Sequence, residues 1–152
     1  MIKIVTGNIL EATEKYICQQ VNCQGVMGAG VAKALYQKWP NIKQEYHSFC
    51  DSHFEPIELL GKVQIVPVEI NQYVVNIFGQ LDYGRNSQCV YTDYDALEKA
   101  FSVISQFNGS FAFPYGIGSG LANGDWSTIC SLIYKYFGDK NATLYKLPHC
   151  QF

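Results

Sequence analysis

Ten residues, Val21-Asn22-Cys23-Gln24-Gly25-Val26-Met27-Gly28-Ala29-Gly30, constrain this chain more than any others. They follow an apolar, strand-like run from Tyr16 to Val21 and lead into Val31-Ala32-Lys33-Ala34-Leu35, which is helix-forming and apolar every three or four residues. The stretch is therefore a strand-to-helix loop. Three glycines within six residues let the backbone turn tightly and approach a ligand, and the helix that follows offers unpaired N–H groups to an anion such as phosphate. Turns between strand and helix also need glycine for steric reasons alone, so a loop that binds nothing is the competing interpretation.

A second stretch favours binding. Pro114-Tyr115-Gly116-Ile117-Gly118-Ser119-Gly120-Leu121 follows the apolar run Phe111 to Phe113 and precedes a helical segment that begins near Asp125-Trp126. Two such loops can grip two phosphates, or the halves of one diphosphate, at the carboxyl ends of neighbouring strands. Neither is a standard nucleotide fingerprint. The first reads G-x-x-G-x-G where dinucleotide binding wants G-x-G-x-x-G, and it lacks Lys-Ser/Thr after its last glycine. No paired acid follows at the dinucleotide distance either, which weighs against an NAD-dependent redox domain.

The rest of the chain alternates strand and helix. Alternation over Ile2 to Thr6 predicts a first strand, and Gly7-Asn8-Ile9 ends it. Helices are predicted over Val31 to Lys38, stopped before Trp39-Pro40, and over Asn41 to Ser52. Val63 to Val68 and Tyr73 to Phe78 read as a hairpin pair, followed by a polar loop, Gly79 to Asn86, that is a candidate wall of the site. Thr92 or Asp93 caps a helix predicted from Tyr94 to Phe107. A strand from Ser110 to Phe113, a helix through Phe137 and a last strand from Ala142 to Leu147 complete an α/β arrangement with a mixed sheet.

A length of 152 residues with 48% apolar side chains suits one domain, residues 1–152, with a sizeable core. Net charge is −2 with 16% charged residues, which excludes extended contact with a nucleic-acid backbone and leaves only local recognition of a modified base or end. The six cysteines are irregularly spaced and form no C-x-x-C pair. His149-Cys150 stands alone near the terminus and His47 and His53 lie in no motif, so no metal site is expected. Reduced thiols and a cytoplasmic location follow. No run approaches the ~18 apolar residues of a membrane span, and the apolar start is too short for a signal peptide.

V-N-C-Q-G-V-M-G-A-G-V-A near the start and P-Y-G-I-G-S-G-L-A-N-G-D-W near the end together resemble a macrodomain, the ADP-ribose-binding fold. The likeness is to the branch that holds ADP-ribose-1″-phosphate phosphatases and hydrolases that remove ADP-ribose from carboxylates or DNA bases. It runs from Ile2 to Tyr145. It implies a three-layer α/β/α sandwich around a mixed sheet of about six strands. It also implies ADP-ribose or a derivative as ligand, with no cofactor, and leaves a modified DNA or protein open as substrate.

Residue by residue, the resemblance puts Asn8 with Ile9 where the family carries Gly-Asp-Ile, the acid accepting the adenine amino group; an amide oxygen can accept that bond without charge assistance, or simply cap the turn. Asn22 stands beside the distal ribose, or else ties its loop together. Gly25, Val26, Met27, Gly28, Ala29, Gly30 and Val31 wrap the diphosphate and distal sugar. Tyr115, Gly116, Ile117, Gly118, Ser119, Gly120 and Leu121 close over the phosphates.

For chemistry, some hydrolases of the branch place a lysine at the fifth position of a stretch matched here by Asn76-Ile77-Phe78-Gly79-Gln80; Gln80 has no amine, so the resemblance does not carry a lysine-dependent route to this chain. Asp125 matches an acid that activates water or binds a ribose hydroxyl, although an aspartate at a helix start also serves as a cap. Two classes of function therefore stand side by side: a hydrolase of a small ADP-ribose derivative, with ADP-ribose-1″-phosphate favoured, and a module that binds ADP-ribose without turnover.

Overall fold

A computed structural model describes residues 1–148. His149 and Cys150 lie outside the described residues. The elements in order are β1 (Ile2–Thr6), β2 (Tyr16–Asn22), α1 (Gly30–Lys38), α2 (Asn41–Asp51), β3 (Val63–Glu69), β4 (Gln72–Gln80), α3 (Tyr94–Ile104), β5 (Ser110–Pro114), α4 (Trp126–Phe137) and β6 (Asn141–Lys146). Two short 3-10 turns, Ile9–Glu11 and Pro56–Leu59, had no counterpart in the sequence expectations. Helix α3 stops at Ile104, earlier than its periodicity suggests, because the chain tightens there: Phe107 N–H bonds to the Ile104 carbonyl at 2.9 Å before Gly109 turns it at φ +143°.

The strands form one mixed sheet in the order β1-β6-β5-β2-β4-β3. β3 is antiparallel to β4, as the hairpin pattern predicts, and the other pairings are parallel. Helices α1 and α2 cover one face and α3 and α4 the other, giving the three-layer α/β/α sandwich. On the first face Leu35, Ile42, Tyr46 and Phe78 are fully buried, and on the second Leu97, Phe101, Ile133 and Phe137 are. Each such side chain contributes about 1.5–3 kcal/mol by removal from water. Among the described residues no helix is long and apolar enough to cross a membrane.

The central strand β2 positions the site. It is covered on both faces, which is why it reads as a nearly continuous apolar run, yet it carries two consecutive glutamines, one toward each face. Gln19 donates to Asn76 Oδ1 at 2.7 Å, Asn76 donates to Gln64 Oε1 at 3.0 Å, and Gln64 donates to the Glu45 carbonyl at 2.8 Å, so the amides form a ladder across β2, β4 and β3. Pairing of β2 with β5 is confined to Tyr16↔Phe111 and Ile17↔Ala112. Past that point β2 leads to α1 on one face and β5 to α4 on the other. Chains leaving neighbouring parallel strands to opposite faces open a crevice at the strands' carboxyl ends.

Candidate ligand-binding cleft

That crevice is a cleft of about 870 Å³, within the size range of small-molecule sites. Of the residues singled out in the sequence, Asn22, Val26, Met27, Gly28, Ala29, Gly30, Val31, Gln80, Tyr115, Gly116, Ile117, Gly118, Gly120 and Leu121 line it. Asn8, Ile9, Gly25, Ser119 and Asp125 do not. Tyr83, Gly84 and Arg85 from the polar loop after β4, with Gln19 and Gln20 from β2, complete the walls and floor.

The first glycine loop is organised by Asn22, which is buried. Its Oδ1 accepts from the Gln24 N–H at 2.9 Å and lies 3.0 Å from the Tyr46 hydroxyl, while its Nδ2 donates to the Val26 carbonyl at 2.7 Å. The amide therefore shapes the loop and has a second N–H to offer the cleft. At the loop's end Gly30 takes φ +60°, a conformation that disfavours any side chain, and the chain enters α1 with Ala29 as N-cap. Ala29 has no side-chain acceptor, and the first turn holds no acid. The amides of Gly30, Val31 and Ala32, all cleft residues, are thus uncapped at the positive end of the helix. A methyl group placed on Gly28 would meet nothing within 4 Å, so its α-carbon borders open space.

The second glycine loop is held from below. The Thr92 hydroxyl donates to the Gly118 carbonyl at 2.6 Å, and Gln20 Nε2 lies 3.0 Å from Thr92 Oγ1 and 2.8 Å from Gln80 Oε1. Gln80 in turn donates to the Asp82 carbonyl at 2.8 Å. Gly118 sits at φ +77°, where a side chain would also meet Gln20 Oε1 and Ile129 Cδ1 at 3.0 Å. Ser119 closes the turn internally, donating to the Gly116 carbonyl at 2.6 Å. At the loop's entrance the ring of Tyr115 packs 4.9 Å from Trp126. The roles of Gln20 and Thr92 were missed in the sequence; two adjacent glutamines inside an otherwise apolar strand were the available signal.

The residues outside the cleft have visible employment. Asp125 caps α4, accepting from the Thr128 N–H at 3.0 Å and the Thr128 hydroxyl at 2.7 Å, and those bonds lower its carboxyl pKa. Asn8 accepts from the Leu10 N–H at 3.0 Å and caps the Ile9–Glu11 turn. Ile9 is in the core, and Gly25, at φ +74°, turns the first loop from behind. Cys23, also in that loop, is buried, and burial pushes its thiol up to about 12, which suppresses the thiolate at neutral pH. The described cysteines are free, and among the described residues no group of three or more His, Cys, Asp or Glu is arranged to hold a metal.

No family model matches the chain. Over 176 aligned positions it is 24% identical to an ADP-ribose 1″-phosphate phosphatase of Saccharomyces cerevisiae, covering 96% of this chain and 98% of that protein. It is 26% identical to a DNA ADP-ribosyl glycohydrolase of Mycobacterium tuberculosis over 85% of this chain, and it spans about a third (36%) of that protein's length. Among solved structures it superposes on a macrodomain protein from Streptomyces coelicolor with a TM-score of 0.78 and 25% identity, covering 95% of this chain and 98% of that one.

Proposed function

We propose that this chain, whose fold is that of the macrodomains, binds ADP-ribose in the cleft and hydrolyses an ADP-ribose derivative there. One observation carries the proposal: the uncapped first turn of α1 and the second glycine loop border the same 870 Å³ cleft, so backbone donors from two directions are available to one diphosphate. The two relatives, a phosphatase of ADP-ribose 1″-phosphate and a glycohydrolase of ADP-ribosylated DNA, support an ADP-ribosyl substrate. ADP-ribose 1″-phosphate is the favoured one, a DNA or protein conjugate the second, and an intracellular, reducing setting suits the free thiols.

In this scheme the remaining N–H groups of Asn22 and Gln80 orient sugar hydroxyls. Water adds to phosphorus, the phosphorus–oxygen bond to the sugar breaks, and the proton passes through the substrate's own phosphate oxygens to the leaving sugar oxygen. Asp125 serves as a cap. The experiment is calorimetric titration with ADP-ribose together with product analysis of ADP-ribose 1″-phosphate. Failure of ADP-ribose to bind would overturn the proposal.

A second reading, a module that binds without turnover, has its own support. Among the described lining residues there is no carboxylate, imidazole, amine or thiol. Binding without release of phosphate in the same product analysis would select it.

A further inference from the structure

Arg85 is the one charged side chain among the described residues that line the cleft. It is exposed and makes no hydrogen bond or ion pair within the described residues, whose ion pair is Lys135 with Glu98. The backbone that carries it is nevertheless fixed on both sides. A side chain at Gly84 would overlap the Tyr91 hydroxyl, so the preceding residue packs flush against that phenol. The following residue, Asn86, donates its N–H to the same hydroxyl at 3.3 Å. Its carbonyl accepts from Asn123 Nδ2 at 3.1 Å, and the same Nδ2 reaches the Cys89 carbonyl at 2.7 Å. Asn123 stands just past the second glycine loop at φ +60°, the left-handed region that asparagine tolerates better than most residues. A guanidinium without an internal partner is thus mounted on a braced segment tied to the opposite loop.

We infer that Arg85 binds a phosphate monoester carried by the substrate in addition to its diphosphate, and so selects ADP-ribosyl phosphates over ADP-ribosides that carry the diphosphate alone. The inference rests on the proposed occupation of the cleft by ADP-ribose. The diphosphate already has backbone donors from α1 and from the second glycine loop, whereas the wall after β4 supplies Tyr83 and Arg85. A guanidinium stays charged at any physiological pH and presents a planar fork of donors that matches phosphate bidentately. A monoester phosphate brings negative charge where a sugar hydroxyl brings none. With no carboxylate in the lining, nothing inside the cleft competes for the arginine.

The test is calorimetry of the wild type, Arg85→Gln and Arg85→Lys with ADP-ribose and with a non-hydrolysable phosphonate analogue of ADP-ribose 1″-phosphate, each at low and high salt. Wild type is expected to bind the phosphorylated ligand about tenfold tighter or more, the range of a hydrogen bond to a charged group. Arg85→Gln should bring the ratio near one through lost affinity for the phosphorylated ligand. Arg85→Lys should keep part of it, because a point charge replaces the fork. Added salt should shrink the wild-type ratio. Thermal melting should be unchanged in both variants, since the side chain is exposed. A ratio untouched by Arg85→Gln overturns the assignment, and so does an equal loss for both ligands, which would give Arg85 to the diphosphate. Tight wild-type binding of both ligands at a ratio of one sinks the inference alone. Binding of neither sinks the proposed function and the inference together.

Discussion

The Thr92 hydroxyl accepts a hydrogen bond from Gln20 Nε2 at 3.0 Å and donates its own O–H to the Gly118 carbonyl at 2.6 Å, so a side chain of the central strand holds the second glycine loop through one buried oxygen. Thr92→Val keeps the shape and removes both bonds, leaving the Gly118 carbonyl with the Gly124 N–H alone. A loss of about 1–3 kcal/mol in stability is expected from urea denaturation. ADP-ribose affinity should fall with it, because the loop loses the contact that sets its height above the cleft. Full affinity in a destabilised Thr92→Val would separate the clamp from binding.

Gly28 gives the cleaner test of the first loop. Its α-carbon borders open space in the cleft and an added Cβ meets no atom within 4 Å, so Gly28→Val adds bulk on the cleft side of the loop. Binding of ADP-ribose should be abolished while the melting temperature moves little. Unchanged affinity would remove the first loop from the site.

The two glycine loops, the hairpin and the alternation of strand and helix were legible because each follows from local chemistry: glycine spacing, a proline after Trp39, apolar periods of two and of three to four. What was not legible is long-range. Gln20 and Thr92 are 72 positions apart and Asn86 and Asn123 are 37 apart, and only the folded sheet brings either pair together. Asp125 shows the opposite difficulty. Its motif position suggested chemistry and its helix position suggested a cap, and spacing alone could not say that the side chain would turn toward Thr128 and away from the cleft. Arg85 lay in a loop already marked as a wall, but a lone cation in a polar loop carries no period or motif.

Acid should weaken the fold through Asp125 and Glu98. Hydrogen bonds from the Thr128 hydroxyl and N–H lower the carboxyl pKa of Asp125, and bonds from Lys135 and Tyr136 lower that of Glu98. A folded pKa below the unfolded one means that folding favours the ionised form. The associated stability is present above the unfolded value and is lost as pH falls through the folded one. Denaturant midpoints should therefore hold from about pH 7 to about pH 5 and decline below about pH 4. Asp125→Asn should flatten part of that decline, and an unaltered slope in the variant would mean that the cap does not report on folding.

The same substitution decides where catalysis lies. Loss of a true general base lowers turnover ~10²–10⁴-fold, and Asp125→Asn would do so if the carboxylate activated water. The carboxylate instead bonds both donors of Thr128, its residue is not among those lining the cleft, and asparagine is itself a good N-cap. Turnover of ADP-ribose 1″-phosphate by Asp125→Asn is therefore expected within about threefold of wild type, with the change confined to stability. Gln80→Ala should do more, because Gln80 lines the cleft and its Oε1 anchors the Gln20 amide that reaches Thr92. A hundredfold loss in Asp125→Asn with unchanged ADP-ribose affinity would restore the aspartate as base, and would require α4 to deliver it into the cleft when substrate binds.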